Sequence, residues 1–264
     1  SSNSDINQEI RVRPGRLNMI SVNVQPADSS IDSIADDIAS LFVVRDDSNH
    51  YYIPASNLDQ INEIDLSRGY QLYFTANEYD TLIFRGKPLN PADFEYQLSN
   101  NFRMVSCPYQ LPCPITDAFA AISDKIAVVQ DDDGHFWIPS YGINSIRYLL
   151  PGEGYQIFVN QPVSFSYPVL SIGKSAPELL KDEAVEAASL EHFKFLETGQ
   201  SYAIIVAGSN NELLPGDEIA VFDNSLCVGG VYFNGEYPVI IPAWEKFDRA
   251  GLPGFKTGHD ISLS

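Results

Sequence analysis

Apolar residues in this chain come mostly in short runs, often alternating with polar ones, and the runs stop at Pro, Gly, Asn or Asp. The segments YYI (51–53), YQLYF (70–74), TLIF (81–84), YQIFV (155–159) and SYAIIV (201–206) are of this kind. Their Tyr, Phe, Val and Ile suit a pleated, half-buried surface, which predicts many short strands joined by turns. Two stretches differ. In IDSIADDIASLF (31–42), Ile31, Ile34, Ile38 and Leu41 recur at helical spacing, and in ITDAFAAISDKI (115–126), Ile115, Phe119 and Ile122 do the same. Each predicts one amphipathic helix, with Asp28, Ser29 or Ser30 able to cap the first.

The elements recur. Residues 43–54 read VVRDDSNHYYIP and residues 128–139 read VVQDDDGHFWIP, an offset of 85. The same offset carries Met19 onto Met104, Ser21 onto Ser106, Ile61 onto Ile146, and RGYQLYF (68–74) onto EGYQIFV (153–159). One register held over so many positions marks a duplication. The period exceeds the roughly 20–50 residues of a solenoid repeat, so each copy reads as a small domain. Each has a lead-in strand, the helix, a hairpin turning at 46–49 or 131–134, and a strand opening at Gly69-Tyr70 or Gly154-Tyr155. Asp133-Gly134 is a strong hairpin-turn pair, and the glycines before the tyrosines are expected to supply positive φ. Residues 9–88 and 93–168 are therefore expected to form two tandem small α+β modules, each a mostly antiparallel sheet with one helix.

After residue 168 the pattern breaks. Residues 169–192, rich in Ala, Glu and Ser, read as a linker that is partly helical over 177–189. Strand signals return in FKFL, SYAIIVA, DEIAVFD, LCVGGVYF and YPVIIPAW, and the sequence closes on the strand-like DISLS. Evenly spaced short strands with turns between them predict a β-sandwich-like module over 193–264. The expected fold class is mainly β, with two α+β repeats followed by that module.

Charge narrows the function. The 264 residues carry 35 acidic and 16 basic side chains, a formal net charge of −19. Nucleic-acid binding needs Lys and Arg to displace counterions, and an acidic surface disfavours anionic membranes. No apolar run approaches the roughly 20 residues that span a bilayer. Neither nucleic acid nor membrane insertion is expected. The motifs GxSxG and HExxH, a Walker loop and a dinucleotide glycine loop are all missing, so no enzyme is expected.

Candidate chemistry is sparse. Cys107 and Cys113 bracket the tight loop CPYQLPC and form a disulfide candidate for an oxidising compartment, with two unpaired thiols as the alternative. Cys227 lies in a strand run and is expected to be buried and unpaired. A zinc site needs about four ligands, which these scattered Cys and His do not offer. His50 and His135 occupy equivalent positions after each hairpin turn and read as half-exposed strand residues. The Asp-rich turns do not follow calcium-loop spacing. Asp217 and Asp223 of GDEIAVFD are the better cation candidates, with calcium the ion considered. Glu218 points to the other face of that strand from Asp217, which argues against a glycosidase pair. Tyr51, Tyr52, Phe136 and Trp137 are candidate ligand-facing aromatics for glycans, one of each pair facing the core.

With these residues in view, the repeat resembles modules of large secreted and cell-surface proteins of Bacteroidetes and related bacteria. Copy two keeps much of that pattern in DDDGHFWIPSYGINSIRYLLPGEGYQIFV (131–159), whereas copy one departs with NLDQINEIDLSRGYQLYF (57–74). Leu17 and Phe102 stand where those modules carry a lead Trp. The last module is similar to another unit of the same proteins through GDEI (216–219), VFD (221–223), CVG (227–229) and Ala243-Trp244, with Glu245-Lys246 replacing an acidic pair. The resemblance implies an extracellular or cell-surface location and a non-enzymatic structural or adhesive role, as fibre subunit or stalk. The alternative is the accessory carbohydrate-binding region of a secreted hydrolase. Expected partners are further copies of the chain or other surface proteins, with glycans as a further class. Self-association is expected through strand edges, with a terminal segment such as residues 1–9 lent by one subunit to the next, and a monomeric part of a longer chain is the alternative.

Overall fold

The computed structural model describes residues 4–169, 190–210 and 212–264. The helix expected over 177–189, and most of the linker around it, lie outside the described residues. The fold is largely β, in several antiparallel sheets, with little helix. It divides into two compact units, Ser1–Asp131 with His135–Ala176, and Asp132–Gly134 with Pro177–Ser264.

The first unit holds two sheets of one design. In copy one the strands Asn18–Ile20, Tyr70–Phe74, Leu41–Arg45, Tyr51–Ile53 and Leu58–Asp59 lie side by side in that order. In copy two the order is Arg103–Val105, Tyr155–Val159, Ile126–Gln130, Phe136–Ile138 and Ile143–Asn144. The registers match residue for residue. Val44 lies between Leu72 and Tyr52, and Val129 between Ile157 and Trp137. Both sheets are irregular at the same place, Leu41/Val43 and Ile126/Val128.

The turns repeat too. The backbone is left-handed at Asn49 and Gly134 (φ 61° and 79°), at Asn57 and Gly142 (53° and 66°), and at Asn62 and Arg147 (63° and 62°). Gly and Asn enter this region readily, so five of these six residues suit their place. Arg147 is the exception. Beside the last pair, the Tyr70 hydroxyl accepts the Asp65 N–H at 2.7 Å and the Tyr155 hydroxyl accepts the Leu150 N–H at 2.8 Å. Burial pushes the Tyr70 hydroxyl up to about 12 and that of Tyr155 well above its ordinary value, so both phenols stay neutral.

The helices are shorter than their spacing predicts. They run over Ser33–Asp37 and Ile115–Ala118, the second followed by the 3-10 turn Ala120–Ile122. One turn already buries Ile31, Ile34 and Ile38, and likewise Ile115, Phe119 and Ile122. The residues beyond are drawn into the strands that begin at Leu41 and Ile126. Helices this short are marginal alone and are held by packing.

The N-terminal strand pairs within its own chain. Ile6–Val12 pairs along its whole length with Asp80–Pro88 of the same chain, from Ile6 opposite Gly86 to Val12 opposite Asp80. Residues 6–9 of the segment expected to be lent to a neighbour are therefore paired within their own chain.

In the second unit Ser201–Val206 pairs with Val239–Trp244, while Leu226–Tyr232, Glu218–Asp223 and Ile261–Leu263 form a three-stranded sheet in that order. Ile219, Val221 and Val228 of the second sheet share one core with Val239, Ile241 and Ala243 of the first. The run FKFL is not a strand, although Phe193 packs edge-on against Phe222 at 5.7 Å.

Candidate functional site

The two copies of the first unit meet along a seam with its own two-fold logic. Gly69 N–H donates to the Met104 carbonyl at 3.2 Å, and Gly154 N–H donates to the Met19 carbonyl at 3.0 Å. Ser106 N–H reaches the Ser67 carbonyl at 3.2 Å, and Ser21 N–H reaches the Gly152 carbonyl at 2.8 Å. Each bond maps onto its partner by the offset of 85, so each copy gives the other what it receives. Arg68 bridges Val105 and Glu153 bridges Ile20 in the same symmetric way. This is the isologous contact of a two-fold dimer, made within one chain.

The seam explains Gly69 and Gly154, and differently from the sequence expectation. Neither is among the residues with positive φ. They are glycines because two backbones touch. A Cβ at Gly154 would lie 2.8 Å from the Ile20 carbonyl oxygen and 3.3 Å from the Gly69 Cα. One at Gly69 would lie 3.2 Å from the Val105 oxygen and 3.3 Å from the Gly154 Cα.

A buried carboxylate locks one side. Asp47 accepts the Met104 N–H at 3.0 Å and pairs with Arg103 Nε at 3.0 Å, with Arg68 Nη1 at 3.5 Å. Sequence reading placed Asp47 in a turn and missed this role. The clue was an acidic pair repeated in both copies, since a turn needs only its first member. Asp132, the counterpart of Asp47, is buried as well.

The first members, Asp46 and Asp131, organise the hairpin tips. Asp46 accepts the Ser48 and His50 N–H groups at 2.8 and 2.9 Å, and its other oxygen faces His50 Nδ1 at 2.9 Å. Asp131 does the same with His135, at 2.8 Å to N–H and 2.8 Å to Nδ1. Copy two adds Asp133 where copy one has Ser48. Asp131, Asp133 and His135 place ligand atoms within 4.8 Å of one another and can hold a divalent ion.

The other predicted residues fall as follows. Cys107 and Cys113 are free thiols, both buried. Copy one grips their loop. Cys107 N–H donates to Ser21 Oγ at 3.0 Å, Asn23 Nδ2 to the Tyr109 carbonyl at 2.8 Å, and Gln110 Nε2 to the Asn23 carbonyl at 2.6 Å. Burial raises both thiols, Cys113 to about 11 and Cys107 further, so they pack as small apolar groups and stay protonated. Cys227 is free but only half-buried. Asp217 and Asp223 do not meet. They lie at opposite ends of the strand Glu218–Asp223, about 20 Å apart at a rise of about 3.3 Å per residue. Asp217 caps a turn through the Leu214 N–H at 2.8 Å. Tyr52, Phe136 and Trp137 are buried, and Tyr51 is half-buried, so the four do not form an exposed platform. Trp137 stacks on Phe119 at 6.0 Å instead.

No family model, no curated protein and no solved structure matches this chain.

Proposed function

We propose that this chain is a non-enzymatic, extracellular or cell-surface structural or adhesive element, a stalk or fibre subunit. In this reading it comprises two tandem small α+β modules and a β-sandwich-like module, akin to those of large surface proteins of Bacteroidetes and related bacteria. The observation that carries the reading is the seam. Main-chain hydrogen bonds and a half-buried ion pair join the two copies, where a flexible tether would suffice for two independent binding domains. Such bonds, loaded in parallel, resist extension, which is what a stalk needs. Pulling the chain by its ends in a single-molecule force experiment tests this. The two copies should unfold in one event. Two separate events at low force would count against a load-bearing role.

Calcium at the copy-two hairpin tip is a second reading, supported by the Asp131–Asp133–His135 group. The carboxylates supply the oxygen ligands that calcium prefers, whereas His135 favours a transition metal. Titrating the chain with calcium and with zinc while following the His135 ring by NMR separates the two. Asp133→Ser, which copies the tip of copy one, should abolish the response.

A further inference from the structure

We infer that the second unit binds a neutral pyranose sugar in the groove between the strands Ser201–Val206 and Ile261–Leu263. Among the described residues each of these strands pairs on one side only, the first with Val239–Trp244 and the second with Glu218–Asp223. The core is consequently open between them. The opening is a groove of about 310 Å³ whose apolar wall includes Tyr202, Ile204, Phe255 and Ile261. Tyr202 and Phe255 are half-buried and meet edge to face, with centroids 5.5 Å apart at 78°.

The groove is also lined by polar residues that are held in place by carboxylates. Asp223, 6% exposed, accepts the Lys256 N–H at 2.9 Å and faces His259 Nδ1 at 2.9 and 3.0 Å. Those bonds hold its carboxyl below the usual carboxylate range. With Nδ1 engaged by Asp223, His259 keeps Nε2 for a further partner. Thr257 Oγ1 is steadied in turn by Glu245 Oε1 at 3.1 Å. A carboxylate thus fixes each of two exposed polar side chains lining the groove, the preorganisation that a binding site requires.

The chemistry selects the ligand class. Apolar side chains together with oriented hydroxyl and imidazole groups match a ring with one C–H face and a hydroxyl rim. A net charge of −19 works against anionic ligands, and Lys256 on the rim works against cationic ones. A neutral pyranose satisfies all of these conditions. The groove sits near the lower end of small-molecule sites, roughly 300 Å³, which suits one or two sugar rings. This site is separate from the load-bearing role proposed above, and losing it would leave that role standing.

NMR on the intact chain tests the proposal. Glucose, galactose, mannose, N-acetylglucosamine and short xylo- and cello-oligosaccharides are added in turn, with benzoate as an anionic aromatic probe. At least one sugar should shift the amides of Tyr202 and 255–259 and receive saturation transfer on its C–H protons. Phe255→Ala should weaken that sugar roughly tenfold, equivalent to about 1.4 kcal/mol of ring contact. His259→Gln should weaken it several-fold while thermal unfolding stays in place, so a folding defect in the first variant does not decide the matter. Tyr141→Ala, at an exposed tyrosine of the other unit, should change nothing. Four outcomes would overturn the proposal: no groove shifts with any sugar, shifts insensitive to both groove variants, preferential binding of benzoate, or sugar-independent shifts that grow with protein concentration. The last would mean that a second copy fills the groove.

Discussion

Copy one and copy two build the same sheet around different cores. Ile34, Tyr52 and Leu82 of the first correspond to Phe119, Trp137 and Tyr167 of the second, and all six are buried. Copy two gathers Tyr96, Phe119, Phe165 and Tyr167 into one aromatic cluster with centroids 4.9–5.5 Å apart. Copy one has Ile34 and Leu82 where copy two has Phe119 and Tyr167 of that cluster, in a core that also holds Ile31 and Ile38. What stays constant is what the main chain demands: the left-handed turn positions, the tyrosine hydroxyls that accept N–H groups, and the two seam glycines. Cores tolerate exchange of shape when volume and pattern are kept. Close contact between backbones does not.

The largest expected effect separates the cores. Phe119→Ala should cost about 4 kcal/mol and Ile34→Ala about 3 kcal/mol, measured by urea unfolding, because the aromatic leaves the larger cavity. A reversed order would mean that the aromatic cluster is loosely packed. The seam comes next. Gly154→Ala should cost about 3 kcal/mol and Gly69→Ala about 1 kcal/mol, since the nearest oxygen to the new methyl lies at 2.8 Å in the first case and 3.2 Å in the second. Equal small losses would show that the seam gives way freely. The smallest effect concerns the turn at Asn62 and Arg147. Arg147→Gly should stabilise by about 0.5 kcal/mol, seen as a modest rise in Tm, because it removes an L side chain from the left-handed region. Asn62→Gly should be close to neutral. Stabilisation by both or by neither would mean that the two turns are not equivalent.

Much of the skeleton was legible in the sequence, because a duplication displays its own register. The strand runs, the hairpins at 46–49 and 131–134, and the Gly-Tyr strands all follow from the offset. The helices came out too long, since isoleucines at 31, 34 and 38 describe a buried stripe and not its length. Gly69 and Gly154 were misread because a lone glycine signals either φ or close approach, and only the partner backbone distinguishes them. The grip on the loop 107–113 was not legible because the residues that hold it, Ser21 and Asn23, stand more than eighty positions earlier. Asp223 was singled out with Asp217 as a cation candidate, and its partner His259 went unseen because it lies 36 residues further on and carries no motif.

The central claim is that the two copies form one folded unit through a reciprocal seam, and native-state hydrogen exchange at Ser21, Gly69, Ser106 and Gly154 tests it most directly. Opening the seam should require unfolding the sheets on both sides, so these four amides should exchange at the same free energy as core amides such as Val44 and Val129. Rapid exchange at the four while Val44 and Val129 remain protected would contradict the account. It would show two small domains that merely touch.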